Sequence, residues 1–498
     1  MESFIFRSVL RVELFTGECE VNKLIFKLIK PLLKRKSIDF LKDSNWVSKN
    51  KQGLETKLVR QSTTGIGEKL GITPDTSINE VPLTGYPFYE KFYESPKEGD
   101  LIYPLKDYVR SQTSGTMGKP KTYLLPRTGI RENIRNTGPS LFMIGTYDGK
   151  RTSLEADDVI YTNTPEGSFF TGHVKKAHGD SGPSLGKVVP PDPDELSFQE
   201  KVDYFIDNYK DIDIAYMTVT TLIDEVYPKI GEPFKLKAFF TQDLSAAPLK
   251  EKIKEITGGY PKTVFGSTES MMSNLPSLEH PGGFLFDWRV IYPEFIPEKQ
   301  RVDTNINTFE APEILSLDEV EVGKRYQFIA TPFFNDMTRY VMPDIFECID
   351  NGDDIIGCEA PIFKYFSRSD RLMVLHNFTR INEEELLQAL VDDGLSFVDF
   401  TAQRELEGSR EYMHLYIELQ EDIPESELIE TIDLELRKMD KDWRDLVDFL
   451  KYEPIKITKL ARGTVKRYLQ NKEGVPRLTR IGMRKERLEE LLNHKETG

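Results

Sequence analysis

The sequence predicts an α/β protein of two domains, a large N-terminal domain over residues 1–365 and a smaller α+β domain over residues 366–498. Between residues 196 and 264, helix-like stretches alternate with short apolar runs, which is typical of βα units that cover a mixed or parallel sheet. After Phe366 the pattern changes to helix, strand and helix, followed by a basic tail. A chain of 498 residues also exceeds what one hydrophobic core usually supports.

Charge and cysteine content exclude several classes of protein. The 82 acidic and 66 basic side chains give a net charge of -16, which disfavours binding to nucleic acid or to an anionic membrane. Cys19, Cys348 and Cys358 form no Cys-x-x-Cys pair, so neither structural zinc nor a disulfide framework is expected. Glu2 stands where a secretory signal needs positive charge, and charges interrupt every long apolar run. We therefore expect a cytoplasmic protein without stable membrane insertion.

Three further segments predict local structure. Residues 22–35 have apolar positions at helical spacing and predict a helix that packs on the body and is interrupted at Pro31; a membrane-surface helix is the alternative. Residues 80–127 combine aromatic and turn residues in a strand-loop-strand layout. Residues 324–334 and 338–350 predict an antiparallel pair or a small barrel.

The loop from Thr113 to Lys121 has the composition of a polyphosphate site. It contains two glycines, three hydroxyl residues and two lysines, so its N–H groups can converge on an anion while a lysine supplies positive charge. It is not a Walker loop, because only two residues separate Gly115 from Gly118 and Pro120 interrupts the following segment. Taken alone, such a loop could also be a surface turn.

The same nine residues resemble the phosphate-binding motif of the ANL adenylate-forming superfamily, and three further matches follow in the expected order. The segment Thr263–Glu269 resembles the aromatic-Gly-x-Ser/Thr-Glu motif. This resemblance implies that Phe265 lies beside adenine and that Thr268 and Glu269 approach the α-phosphate and magnesium. The chemistry is consistent, since Mg²⁺ prefers hard oxygen ligands and a threonine hydroxyl can donate to phosphate.

The two remaining matches depart from the superfamily pattern at one position each. Arg339–Asp344 is similar to a Tyr-Arg-x-Gly-Asp element whose aspartate accepts hydrogen bonds from both ribose hydroxyls, with Pro343 in place of the usual glycine. Phe366–Asp370 resembles the Gly-Arg-x-Asp hinge, with Ser367 in place of glycine. The resemblance directs Arg368 to the ribose or a phosphate.

Within the superfamily, the sequence most resembles the Gretchen Hagen (auxin-responsive) acyl acid amido synthetases, with phenylacetate-CoA ligases second. Residues 81–92, 285–297, 378–390 and 475–477 carry this likeness, which extends roughly over residues 55–480. It implies an ANL-like fold, in which a large N-terminal domain with mixed sheets is closed by a mobile α+β C-terminal domain.

The resemblance also implies ATP and Mg²⁺ as cofactors and a carboxylic acid that is activated as an acyl-AMP. It assigns catalysis to Glu269, Lys121 and Lys466, with Glu269 as the magnesium ligand. The implied ATP-binding residues are Thr113, Ser114, Gly115, Thr116, Gly118, Phe265, Gly266, Ser267, Thr268, Asp344 and Arg368.

The C-terminal lysine of the superfamily is displaced in this chain. Thr464 stands where a lysine usually follows glycine, so Lys466 is assigned to adenylation, with Lys459 and Lys472 as alternatives. The Lys-x-Pro-Arg pattern of the amido synthetases is replaced by Gly474–Arg477.

The acceptor of the acyl group is an amine in the amido synthetases and the CoA thiol in the ligases. The layout of the chain favours the amine, while a CoA ligase and a non-catalytic nucleotide- or acyl-binding protein remain alternatives.

Residues 179–183 resemble the segment that carries the nucleophile of serine proteases, but only His173 and His178 lie nearby in sequence. Neither a protease triad nor a metal site is therefore expected.

Overall fold

The architecture comes from a computed structural model that describes most of the chain. The described residues are 23–112, 121–163, 186–191, 196–219, 221–242, 246–304, 306, 308–309, 313–368, 373–375, 379–392, 394–407, 410–440, 443–444, 446–447, 452–470 and 477–493. The three largest sheets among them are a nine-stranded central sheet, a five-stranded parallel sheet and a three-stranded C-terminal sheet. The predicted α/β class with mixed sheets is confirmed.

The central sheet is antiparallel along its main path. From one edge to the other, its strands are Asn274–Pro276, Gly283–Phe286, Ile362–Arg368, Tyr340–Asp350, Arg325–Pro332, Ile291–Pro297 and Leu315–Ser316. Leu83–Thr84 pairs with Thr308–Phe309 and, in parallel, with Tyr340–Asp350. The antiparallel pair predicted at residues 324–334 and 338–350 is therefore correct, and it forms the middle of this sheet.

Phenylalanine rings fill the core on one side of the central sheet. Phe286 and Phe328 have ring centroids 5.0 Å apart, and Phe346 lies 5.4 Å from Phe328. Phe295 stacks on Phe363 at 5.0 Å, and all five side chains are buried. Each such ring removes a large apolar area from water, so this cluster is a main source of the sheet's stability.

The parallel sheet confirms the βα pattern of residues 196–264. Its strands, in spatial order, are Lys187–Val189, Val159–Thr162, Ile214–Tyr216, Ala238–Thr241 and Lys262–Thr263. Helix Phe198–Asn208 begins at a capping box formed by Ser197 and Glu200. Helix Lys250–Thr257 ends at Gly258, whose φ of 80° is the left-handed conformation that glycine adopts easily.

The remaining helices surround these sheets. They are Lys23–Ser37, Trp46–Gln61, Gly65–Lys69, Tyr86–Glu94, Arg127–Gly145, Tyr227–Ile230, Glu383–Asp392, Glu425–Met439, Thr464–Leu469 and Lys485–Asn493. Among the residues that the structure describes, no helix is both long enough and apolar enough to cross a bilayer.

The first helix differs from its prediction. Lys23–Ser37 packs against Arg127–Gly145, as expected, but it continues through Pro31 instead of being interrupted there. Pro31 lies on the exposed side of the helix, where a carbonyl that loses its intrahelical donor can be hydrated.

Two hairpins matter for the site. Tyr108–Gln112 pairs with Thr122–Pro126, which confirms the two strands of the predicted strand-loop-strand layout. Gly266–Ser267 pairs with Met271–Met272 across a tight turn.

The C-terminal domain has its own hydrophobic core. Strands Phe397–Glu407, Arg410–Leu419 and Ile455–Lys459 form its sheet, with helices Glu383–Asp392 and Glu425–Met439 packed on it. Its core begins at Met373, whereas the last strand of the central sheet ends at Arg368. The boundary between residues 365 and 366 stays a prediction.

Two charged side chains are buried together at the central sheet, Glu294 in strand Ile291–Pro297 and Arg339 directly before strand Tyr340–Asp350. Arg339 donates from Nη2 to Glu294 at 2.9 Å and from Nη1 to the carbonyl of Val81 at 2.7 Å, and both charged groups are less than 5% exposed. Since neither charge can reach water, each depends on the other.

We expect Arg339→Met to lower the free energy of unfolding by about 3–5 kcal/mol, because it leaves the Glu294 carboxylate buried without its partner. Urea denaturation measures the change. The control is Arg135→Met, which breaks an exposed pair with Glu132 and should cost about 1 kcal/mol or less. Equal losses in the two variants would contradict the prediction.

Helix Trp46–Gln61 carries a buried lysine. The Lys57 side chain is 1% exposed, and its ammonium donates to the carbonyl oxygen of Asn335. Burial lowers the pKa of Lys57 to about 7, an effect that the Asp336 carboxylate partly opposes.

The unfolded chain therefore binds one more proton than the folded chain between pH 7 and the ordinary lysine pKa of 10.5. We expect this proton to make the free energy of unfolding rise with pH in that window, by up to about 1.4 kcal/mol per pH unit. Lys57→Met should lose this rise, and the exposed Lys51→Met on the same helix should keep it. Identical pH slopes in wild type and Lys57→Met would contradict the prediction.

Candidate active site

A cleft opens where the carboxyl ends of two parallel strands meet the central sheet. Gln242 directly follows strand Ala238–Thr241, and Phe265 follows strand Lys262–Thr263 by two residues. Ligands commonly bind outside the carboxyl ends of parallel strands, because loops of different strands converge there.

The cleft draws its walls from both domains. Its lining residues are Gln242, Ala247, Thr263, Val264, Phe265, Gly266, Ser267, Glu269, Gly282, Phe284, Met342, Pro343, Asp344, Lys364, Tyr365, Arg368, Glu384 and Arg477. Three separate sequence motifs thus meet in one space, together with Glu384 and Arg477 of the C-terminal domain.

Phe265 forms the aromatic wall of the cleft. Its ring stacks on Tyr365 at 6.2 Å and on Phe284 at 6.0 Å, and meets Phe346 edge-on at 5.0 Å. Its backbone N–H donates to the side chain of Asn274 at 2.9 Å. A half-buried ring fixed on several sides presents a flat apolar face to the cleft, which suits a planar base.

Asp344 and Arg368 face each other across two strands. They are directly paired in the register between Tyr340–Asp350 and Ile362–Arg368, and both line the cleft. Pro343 lies in strand Tyr340–Asp350, at a break in its pairing with Arg325–Pro332. A strand can accept proline at a bulge, because the backbone N–H that proline lacks is not needed there for pairing between strands. Pro343 in place of glycine therefore leaves Asp344 within the strand.

Glu269 lies in the tight turn after Ser267, and its carboxylate is held by Tyr123, which in turn contacts Tyr340. Tyr123 donates its hydroxyl to Oε1 of Glu269 at 2.8 Å, and the Tyr340 hydroxyl lies 3.0 Å from that of Tyr123. Burial raises the pKa of both tyrosines well above 10.0. The phenols are therefore neutral, and Tyr123 acts as a hydrogen-bond donor to a carboxylate that reaches the cleft.

Lys121 lies close to this network without lining the cleft. Its ammonium is 5.0 Å from the centre of the Tyr86 ring, and that ring meets Tyr123 edge-on at 5.2 Å. Tyr86 also donates to the carbonyl of Thr122 at 3.2 Å, which fixes the start of the strand. Lys121 and Tyr123 are two residues apart along an extended segment, so their side chains leave on the same face.

Positive charge comes to the cleft from several elements. Lys364 pairs with Glu384 of the C-terminal domain at 3.4 Å, and Arg368 and Arg477 stand in the same lining. Burial raises the pKa of the Glu384 carboxyl, while Lys364 opposes the rise. These cations can neutralise an anionic ligand such as a phosphate chain.

Lys466 lies apart from the cleft. It is exposed on the short helix Thr464–Leu469 and is not among the lining residues. Lys459 pairs with Asp422 at 2.7 Å instead. Arg477 is the cationic side chain that lines the cleft from the described part of the C-terminal domain.

Several predicted residues lie outside the described part of the chain. These are Thr113, Ser114, Gly115, Thr116, Gly118, Asp370 and Lys472, together with His173 and His178 from the protease and metal-site alternatives. Thr268 is described and is half-buried in the turn before Ser270, but it does not line the cleft. Sequence reasoning missed Gln242, Lys364 and Glu384 as site residues, and it noted Arg477 only as part of a matching segment.

The described residues fit magnesium bound together with a phosphate ligand. Within the described ranges, no group of three or more His, Cys, Asp or Glu side chains is arranged to hold a metal ion. Magnesium commonly takes one or two carboxylates and completes its shell with substrate phosphates and water. Glu269, with its carboxylate fixed by Tyr123, can supply such a ligand.

Comparisons with known proteins agree with this geometry. Residues 284–368 match the model of the GH3 family central domain. The structure is similar to that of AtGH3.15 acyl acid amido synthetase in complex with 2,4-DB, with a TM-score of 0.65 and 14% identity, over 97% of this chain and 98% of that chain.

A second similar structure is 2-hydroxyisobutyryl-CoA ligase in the postadenylation state. Its TM-score is 0.59 at 16% identity, and the match covers 92% of this chain and 94% of that chain. No curated protein sequence matches this chain. The predicted fold is confirmed: the chain has the fold of these two solved structures, and residues 284–368 match the model of the GH3 family central domain.

Proposed function

We propose that this chain activates a carboxylic acid as an acyl-AMP, with release of pyrophosphate, and then transfers the acyl group to an amine. One observation carries the proposal. Phe265 and Glu269, Asp344, and Arg368 come from three separate segments of the sequence, yet they line one cleft in the fold of adenylate-forming ligases. Their chemistry is an aromatic wall, two carboxylates and a cation, which together suit ATP.

In the first step, a carboxylate oxygen of the acid attacks the α-phosphorus of ATP, and the bond to pyrophosphate breaks. This reaction needs in-line positioning and neutralisation of negative charge more than it needs a covalent enzyme intermediate. Asp344 would accept hydrogen bonds from the ribose hydroxyls, and Arg368 would bind the ribose or a phosphate. Glu269 would hold Mg²⁺, which supplies positive charge to the phosphates.

The roles of the glycine loop belong to the proposal as well. Residues 113–118 and Lys121 would bind the β- and γ-phosphates, and Thr268 the α-phosphate. Their support is the motif itself and the position of Lys121, which lies over the Tyr86 ring. That ring packs on Tyr123, the residue that donates to Glu269.

The choice of acceptor rests on the GH3 family central domain at residues 284–368, which favours an amine. A CoA ligase is the second candidate, because the similar 2-hydroxyisobutyryl-CoA ligase covers 92% of this chain. Acid-dependent AMP formation that requires an amino acid would support the first candidate. Acid-dependent consumption of CoA would support the second.

The test of the first step is acid-dependent exchange of labelled pyrophosphate into ATP with Mg²⁺, over aryl, alkyl and hydroxy acids. We expect exchange with at least one acid, and we expect Glu269→Gln to lower it by about 100-fold or more, since a neutral amide is a poor magnesium ligand. Glu279→Gln, which changes a carboxylate outside the lining, is the matched control.

Wild-type exchange rates in Glu269→Gln would overturn the magnesium assignment. Tight ATP binding by wild type without exchange for any acid would instead favour a non-catalytic nucleotide- or acyl-binding protein.

Arg477 provides a second prediction for the same assay. Because Arg477 reaches the cleft and Lys466 does not, we expect Arg477→Ala to lower the exchange rate by about 10- to 1,000-fold, as losses of charge-stabilising groups usually do. Lys466→Ala, in the same domain, is the control and should exchange at nearly the wild-type rate. The opposite ranking would restore Lys466 as the residue that acts in adenylation.

A further inference from the structure

The turn that carries Glu269 rests on a buried loop of the central sheet. Residues 333–339 join strands Arg325–Pro332 and Tyr340–Asp350, and the side chain of Asn335 in this loop is 1% exposed. Nδ2 of Asn335 donates to the backbone carbonyl of Glu269 at 3.0 Å, while Oδ1 accepts from the N–H of Met337 at 3.0 Å. Asn335 therefore uses both ends of its amide to tie the Glu269 turn to the loop.

Lys57 contacts the same loop through a backbone carbonyl. Its ammonium donates to the carbonyl oxygen of Asn335, the residue whose side chain holds Glu269. A lysine that is 1% exposed costs stability unless its donors are used, so a buried lysine at this position calls for a role. The contact is also long-range, because 278 residues separate the two partners.

The neighbouring residue of the loop is fixed independently. The Asp336 carboxylate accepts from the N–H of Ile102 at 2.7 Å and from the hydroxyl of Tyr108 at 2.7 Å. With these anchors in place, removal of the Lys57 ammonium would leave the loop folded but release the hydrogen bond that Lys57 donates to the Asn335 carbonyl.

We propose that Lys57 is a positioning residue, which sets the place of the Glu269 carboxylate through Asn335. The path has two hydrogen bonds, from Lys57 to the carbonyl of Asn335 and from the amide of Asn335 to the carbonyl of Glu269. At its far end, the Glu269 carboxylate is held by Tyr123. The proposal rests on the proposed role of Glu269 as the magnesium ligand.

The experiment is a calorimetric titration of ATP, with and without Mg²⁺, into wild type, Lys57→Met, Asn335→Ala and the double variant. We expect each single variant to need about 10- to 100-fold more Mg²⁺ for the same ATP affinity, as loss of a residue behind a metal ligand commonly does. Binding of metal-free ATP should be unchanged. The double variant should lose no more than the worse single variant, because both substitutions break one path.

Two controls separate this role from a general loss of packing. Lys51→Met removes an exposed lysine from the same helix and should leave the Mg²⁺ requirement unchanged. Lys57→Leu, which also lacks a hydrogen-bond donor, replaces Lys57→Met if that variant fails to fold. A variant that is only destabilised would melt earlier without any change in its Mg²⁺ requirement.

The outcomes distinguish this inference from the proposed function. A wild-type Mg²⁺ requirement in Lys57→Met, or losses that add in the double variant, would overturn the positioning role alone. Mg²⁺-dependent ATP binding by a wild type that exchanges no pyrophosphate would overturn the proposed reaction and leave the positioning role standing. ATP binding that Mg²⁺ does not affect would overturn both.

Discussion

The burial of the loop at residues 333–339 is the constraint on which much of the structure depends. A buried loop cannot leave its polar groups to water, so most of them need partners inside the protein. Distant segments supply these partners: Tyr89 accepts from the N–H of Thr338 at 2.8 Å, and Tyr108 donates to Asp336. The N-terminal helices are thus fastened to the central sheet at the loop that also supports Glu269.

The same constraint explains why aromatic and charged residues lie so close together in this region. Tyrosine brings a large apolar ring and one polar group, so it can fill the core and still satisfy a buried carbonyl or carboxylate. Tyr89 and Tyr123 both do so, one beneath the loop and one beside Glu269. The arrangement holds a carboxylate at the edge of the cleft without exposing the core behind it.

Much of the fold could be predicted from the sequence, because periodic patterns and turn residues act locally. The βα alternation and the pair at residues 324–334 and 338–350 are of this kind, and both are present in the structure. The continuation of the first helix through Pro31 was not predicted, since the local rule for proline does not include the exposure of one face of the helix.

Motifs likewise brought Phe265, Glu269, Asp344 and Arg368 to attention, because each sits in a short recognisable segment. Lys364, Glu384 and Lys57 have no such signal. The position of Lys364 follows from strand register, that of Glu384 from the packing of two domains, and that of Lys57 from a contact across 278 residues. None of these three causes can be predicted from the residues adjacent in sequence.

The two-domain lining of the cleft has a consequence for how such a protein can change over evolutionary time. Phe265 and Asp344 belong to the N-terminal core, whereas Glu384 and Arg477 stand on elements that pack in or around a separate C-terminal core. Substitutions that reshape the second core leave the packing of the first intact. The aromatic and acidic wall of the cleft can therefore stay unchanged while the cations that meet it are exchanged.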